Sequence, residues 1–137
     1  MSDSYEIARD FDRVMRQFDA RLHRRAVAVD RDKVGQLGGL VLLSLAEAYP
    51  ISVQGLSQKM GRDKSQMTRL IQLLEGKGVI ARTPSPDDGR VSLLEPTEKG
   101  HALIEALRGV MSEVMDEIVA PLSADERAVL ARLLRAV

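Results

Sequence analysis

VQGLSQKMGRDKSQMTRLIQLLEGK, residues 53 to 77, decides how the rest of the chain is read. It divides at Gly61 into two helical patterns. Val53, Leu56 and Met60 form a stripe at i, i+3 and i+7 in the first. Met67, Leu70, Ile71 and Leu74 follow the i, i+3, i+4, i+7 rule in the second. Between them lies Gly61-Arg62-Asp63, where glycine is free to take a positive φ. Asp63 suits an N-cap, and Gln66 three residues on can complete a capping box. Two short helices joined by a short glycine-containing turn make a helix-turn-helix.

The second helix has an unusual outer face. At 100° per residue, Ser65, Thr68, Arg69, Gln72 and Gly76 fall opposite the apolar stripe. An ordinary solvated face carries Glu and Lys in i, i+4 pairs. This face instead carries hydroxyls, an amide and an arginine, with no carboxylate before Glu75. Such side chains hydrogen-bond base edges and phosphates: Arg to guanine, Gln to adenine, Ser and Thr to either. Arg62, Lys64 and Gln66, at the entry to the helix, join the candidate DNA-binding set.

Length and composition agree with a DNA-binding role. A chain of 137 residues fits one domain or one subunit of a small oligomer. There is no cysteine, which excludes a disulfide scaffold, a Cys-ligated zinc site and thiol redox sensing. The formal net charge is zero, but residues 59–82 hold six Lys or Arg (59, 62, 64, 69, 77, 82) against Asp63 and Glu75. A local basic patch on a neutral chain fits binding of nucleic acid through one face. Aromatics make up only 3% of the chain, so stacking on single-stranded bases is not the expected mode. The start, Met1-Ser2-Asp3-Ser4-Tyr5-Glu6, has no apolar core of a signal peptide. The most apolar run, residues 37–46, is too short to span a bilayer. A cytoplasmic protein with no membrane partner is expected.

Around the helix-turn-helix the chain reads in order. Residues 5–29 form a first helix with a seam of Ile7, Phe11, Val14, Met15, Phe18 and Leu22. Val34 to Tyr49 is a second helix, apolar on nearly all sides and therefore central, ended by Pro50. Ser52 caps the next helix. After Gly76-Lys77-Gly78 the period changes: residues 79–83 and 90–95 read as strands flanking the turn-forming Pro84-Ser85-Pro86-Asp87-Asp88-Gly89. This is a β-hairpin wing, in which Leu93 and Leu94 compete for the buried side. Thr97 caps a long helix with a seam of Leu103, Leu107, Val110, Met111, Val114 and Ile118, stopped by Pro121. Ser123 to Glu126 is a capping box, and Leu130, Leu133, Leu134 and Val137 mark a last amphipathic helix.

Across essentially its whole length this order resembles the MarR family of bacterial transcription regulators. The most specific part is residues 62–100, RDKSQMTRLIQLLEGKGVIARTPSPDDGRVSLLEPTEKG. Leu74-Glu75-Gly76-Lys77-Gly78-Val79-Ile80 is similar to the family's LEKKGLI-type segment. Asp88-Gly89-Arg90 and Pro96-Thr97-Glu98-Lys99-Gly100 are similar to its Asp-x-Arg wing and the Leu-Thr-Glu-x-Gly that follows. Gly89 stands where an Arg is common, removing one charge from the wing tip. Pro96 stands where Leu is usual, which should alter the end of the second wing strand without abolishing it. The fold expected is mainly α with a small β-hairpin wing, a winged helix-turn-helix with N- and C-terminal dimerisation helices. Residues 1–137 form a single domain, in which 34–97 are the DNA-binding unit and 1–33 and 98–137 the dimerisation helices.

The resemblance implies a homodimer on a pseudo-palindromic double-stranded DNA operator, with repression as the expected outcome. The apolar seams of the terminal helices support dimerisation independently, because seams of that length must be buried somewhere. The resemblance also implies that Arg90 projects from the wing tip into a minor groove, with Asp88 orienting it. Many relatives bind a small anionic or phenolic effector. Arg16, Arg21, His23, Arg24 and Arg25 could host an anion, or could be solvated charges near a helix C-terminus. Two histidines without ligand spacing give no metal site, and no nucleophile, phosphate loop or paired carboxylates point to an enzyme. No cofactor is implied. The rival readings are a winged helix serving protein interaction and a sequence-neutral architectural DNA binder. The carboxylate-poor outer face and Arg90 oppose the first, and the zero net charge opposes the second.

Overall fold

A computed structural model of the chain describes residues 2–137; the N-terminal stretch read above as polar begins at Met1, which lies outside them. The elements run α1 (Asp3–Val29), α2 (Gly35–Ala46), β1 (Ile51–Ser52), α3 (Val53–Met60), α4 (Lys64–Gly76), β2 (Ile80–Pro84), β3 (Ser92–Pro96), α5 (Glu98–Ile118) and α6 (Ala124–Ala136). They fall into two compact units, residues 26–108 and residues 1–25 with 109–137.

Residues 26–108 enclose the core. Val41, Leu42 and Leu45 of α2 meet Leu56 of α3, Met67, Ile71 and Leu74 of α4, and Leu103, Ile104 and Leu107 of α5. The all-round apolar α2 is central, as its sequence requires. Gly38 lets α4 approach closely: a β-carbon there would sit 3.2 Å from Leu74 Cδ2 and 3.0 Å from Val34 Cβ. The helix is shorter than the expected Val34 to Tyr49. Its last turn tightens through Glu47 N–H to the Ser44 carbonyl and Ala48 N–H to that of Leu45, and Tyr49, the residue before Pro50, is disfavoured in the helical region. At its start, the Asp30 carboxylate accepts from the Val34 and Gly35 amides, both at 2.9 Å.

The wing is a three-stranded antiparallel sheet of order β1-β3-β2, where the sequence suggested a two-stranded hairpin. Ile51 pairs with Leu94 and Ser52 with Leu93, while β2 pairs with β3 from Ile80–Pro96 to Pro84–Ser92. Two residues are too few to show a strand's alternation, so β1 leaves no mark in the sequence. Its pairing also resolves the competition in β3: Leu94 is fully buried and Leu93 only partly. Both hairpin strands shift one or two residues later than expected and finish in proline. Pro96 sits at the end of β3, where a missing N–H interrupts no interior ladder.

The second unit comprises the first part of α1, the last part of α5, and α6. Glu117 of α5 joins it to α1 by accepting from Arg21, at 3.3 Å, and from Arg25. Val110 and Val114 are buried. Neither α1 nor α6 buries a residue: Ile7, Phe11, Leu133 and Leu134 are each half-exposed or more. The capping box before α6 forms in both directions between Ser123 and Glu126.

Candidate nucleic-acid interface

The turn of the helix-turn-helix is built as its residues dictate. Ser52 caps α3 by accepting from the Gly55 amide at 3.0 Å. Gly61 ends α3 at φ +64°, a left-handed conformation that costs other residues roughly 1–2 kcal/mol. Asp63 then accepts from the Gln66 amide at 3.1 Å; only this arm of the expected box forms, which leaves the Gln66 side chain outward. Met67, Ile71 and Leu74 lock α4 into the core, and this fixes the rotation of the helix about its axis.

The opposite side of α4 is therefore presented outward. Arg62 in the turn, and Lys64, Ser65, Gln66, Arg69 and Gln72 on α4, are all exposed; Thr68 is half-buried. The Thr68 hydroxyl donates to the Lys64 carbonyl at 2.8 Å, so its oxygen remains available only as an acceptor. Local pairing sorts the six basic residues of this region. Lys59 pairs with Glu47 at 2.9 Å and Arg82 with Glu75 at 2.7 Å, while Lys77 donates to the Asp32 carbonyl at 3.0 Å. Arg62, Lys64 and Arg69 enter no salt bridge among the described residues. The unpaired positive charge is thus concentrated on the turn and on the outer face of α4. Of the two carboxylates in residues 59–82, Glu75 is paired with Arg82 and Asp63 is engaged in capping α4.

At the wing tip, Ser85 N–H donates to the Val91 carbonyl at 2.8 Å and Val91 N–H to that of Asp88 at 2.9 Å. Asp88 accepts three bonds from Arg90: backbone N–H at 3.0 Å, Nε at 3.1 Å and Nη2 at 3.4 Å. The Arg90 guanidinium beside it, and next the Arg90 backbone N–H, hold the Asp88 carboxyl below its ordinary range. The Arg90 side chain is 91% exposed, aimed by Asp88 yet covered by nothing. Gly89 has no conformational reason to be glycine: its φ is not left-handed, and nothing lies within 4 Å of where a β-carbon would stand.

Of the arginines near the end of α1 considered for an anion, Arg21 and Arg25 are occupied by Glu117 and Arg16 by Asp12 at 2.8 Å. His23 and His101 are exposed, the latter edge-on to Tyr49. No cluster of His, Cys, Asp or Glu suited to a metal occurs among the described residues, and none of their helices is long and apolar enough to cross a membrane.

Comparison with known proteins places this arrangement. The MarR family profile matches residues 39–92, from α2 to the start of β3. The uncharacterised HTH-type transcriptional regulator YxaD of Bacillus subtilis is 32% identical over 117 residues, 82% of each chain. YdgJ, described in the same words and from the same organism, is 34% identical over 90 residues, 66% of this chain but 55% of its own length. Among solved structures, wild-type apo MarR from E. coli superposes with a TM-score of 0.78 at 28% identity, covering 94% of both chains. A mutant MarR from E. coli complexed with operator DNA gives 0.74 at 27%, covering 99% of this chain and 98% of that one. With a relative matched along four-fifths of both chains and a shared fold, the chain belongs to the MarR family of winged helix-turn-helix transcriptional regulators.

Proposed function

We propose that the protein is a cytoplasmic repressor that binds double-stranded DNA sequence-specifically, as a homodimer on a pseudo-palindromic operator. The reading is carried by the helix-turn-helix itself: of the six Lys and Arg in residues 59–82, Arg62, Lys64 and Arg69 enter no salt bridge among the described residues and lie exposed on the turn and on α4, while Arg90, paired with Asp88, is exposed at the wing tip. Ser65, Gln66, Thr68, Arg69 and Gln72 read base edges, while Arg62 and Lys64 engage phosphates and Arg90, oriented by Asp88, enters the minor groove. Residues 34–97 are the DNA-binding unit, and residues 1–33 and 98–137 supply the dimer contacts. Half-exposed Phe11, Leu133 and Leu134 support that assignment, since such seams are buried by a second copy. A dimer of this kind reaches two half-sites about one helical turn apart.

A small anionic effector would release the DNA. Its proposed place is a cleft of about 310 Å³ within residues 26–108, lined by Ala28, Val29, Arg31, Asp32, Lys99 and Leu103 among others, where Lys99 is paired with Asp32 and Arg31, in no salt bridge among the described residues, would meet the anion. The alternative cluster on α1 has two of its arginines held by Glu117. The test of the reading is recovery of bound fragments from the source organism's genomic DNA, followed by footprinting. Two protected half-sites related by a two-fold axis, upstream of a coding region, are the expected result. Uniform binding to every fragment, or to none, would contradict it.

A further inference from the structure

The junction between α4, the wing and α5 holds a set of polar bonds that the helix-turn-helix does not itself need. Three successive carbonyls follow the recognition helix, those of Lys77, Gly78 and Val79. Each is captured by the start of α5: Lys77 O by Lys99 Nζ at 3.0 Å, Gly78 O by the Thr97 hydroxyl at 2.6 Å, and Val79 O by Thr97 N–H at 3.1 Å. The last carbonyls of a helix have no partner within it, and a cation there is favourable. Lys99 also pairs with the Asp32 carboxylate at 2.8 Å, while Lys77 donates to the Asp32 carbonyl at 3.0 Å. The loop between α1 and α2, the exit of α4 and the first turn of α5 are thereby closed into one ring.

Two features show that the ring is built in. Lys99 lies in the first turn of α5, the positive end of that helix, where Glu98 is favoured and a lysine is not. Its position there is explained by what it reaches. Gly100 is the second feature: a β-carbon on it would lie 2.1 Å from the Val79 carbonyl oxygen, so only glycine lets α5 start this close to the exit of α4.

We infer that Lys99 is a positioning residue for DNA reading: through the Lys77 carbonyl and Asp32 it holds the C-terminal end of the recognition helix, and the wing strand leaving it, at a fixed angle to the core. The inference rests on the DNA-binding reading above. Because the Lys99 side chain is half-exposed, its pair with the partly buried Asp32 adds little to global stability, so its role should appear in local order and in specificity.

The test uses the full-length protein, Lys99→Met, which keeps length but removes the charge, and Lys99→Arg, which restores donors. The first readout is hydrogen exchange of the Gly78 and Val79 amides, which bond to the Glu75 and Leu74 carbonyls, against the Leu45 and Leu56 amides of the core. The second is affinity for a 30-base-pair duplex selected by the wild-type protein from a randomised pool, against a scrambled duplex. Lys99→Met should speed exchange at Gly78 and Val79 about ten-fold with the core amides unchanged, and lower the selected-to-scrambled preference about ten-fold. Lys99→Arg should restore both. Unchanged exchange, or equal acceleration in the core, would overturn the inference. So would equal loss of affinity for both duplexes, which would make Lys99 a phosphate contact. A wild-type protein without preference for any duplex would instead overturn the DNA-binding reading, and the positioning role with it, whatever the exchange rates show.

Discussion

Leu42, Leu45, Leu56 and Ile71, all between residues 26 and 108, are completely buried, whereas Phe11, Leu133 and Leu134 of the other unit keep half or more of their surface exposed. Leu42 and Leu45 lie on the all-round apolar α2, but Leu56 and Ile71 lie on amphipathic helices as Phe11, Leu133 and Leu134 do, so amphipathic periodicity alone does not separate the two units. What separates them is the number of layers available. The winged unit packs α2 against α3, α4, α5 and β3, and closes its own core. The terminal helices have a seam to bury and, within one chain, too little to bury it against. One region closes its own core, and the other leaves its seam exposed within one chain.

The largest effect is expected from removing part of the second unit. Deletion of residues 123–137 should leave an aggregated or monomeric protein without specific DNA binding, by sedimentation and gel shift; a soluble dimer at micromolar concentration would refute the division. Next in size, Leu42→Ala should cost about 2–5 kcal/mol in urea unfolding, while Leu133→Ala should cost less. The sharper distinction is concentration: the loss at Leu133 should grow with protein concentration until wild type and mutant are both fully dimeric, and the loss at Leu42 should not depend on it. Gly61→Ala tests the turn between the helices. With φ at +64° and open space around it, strain alone should cost about 1–2 kcal/mol, with DNA affinity falling alongside.

Much of this organisation was legible in the chain. The stripe of Met67, Ile71 and Leu74, the caps at Ser52 and Asp63, and the Ser123–Glu126 box all give local signals that tertiary packing does not override. What was not legible depends on contacts distant in sequence. Ile51–Ser52 becomes a strand only because β3 lies beside it, and the choice of Leu94 over Leu93 follows from that pairing. The basic region could be counted but not sorted, because Glu47 and Asp32, the groups that engage Lys59 and Lys77, lie far up the chain. The same holds for Lys99 and Gly100, whose environment comes from residues 32 and 77–79.

Two smaller effects sharpen the contrast. The Arg25 guanidinium chiefly, helped by Arg21, holds Glu117 below its ordinary value of 4.5. A carboxylate so lowered contributes stability that is present above about pH 4.5 and lost as pH falls through its folded value. Acid should therefore loosen the terminal helices in part through Glu117, and Glu117→Gln should flatten that part of the pH dependence in circular dichroism. On the winged side, Gly89→Arg returns a charge to the wing tip at a position with room for it. It should raise affinity for selected and scrambled DNA alike and steepen the salt dependence by about one phosphate contact.

In the proposed function, the outward face of α4 reads base sequence. Its most direct test is the affinity of wild type, Arg69→Ala and Gln72→Ala for the footprinted operator, for each single-base-pair variant of it, and for scrambled DNA at fixed salt. Each mutant should lose about 1–3 kcal/mol on the operator, cease to distinguish bases at one or two positions, and keep its affinity for scrambled DNA. Equal losses on operator and scrambled duplexes, with discrimination intact at every position, would reduce both side chains to backbone contacts and contradict the claim.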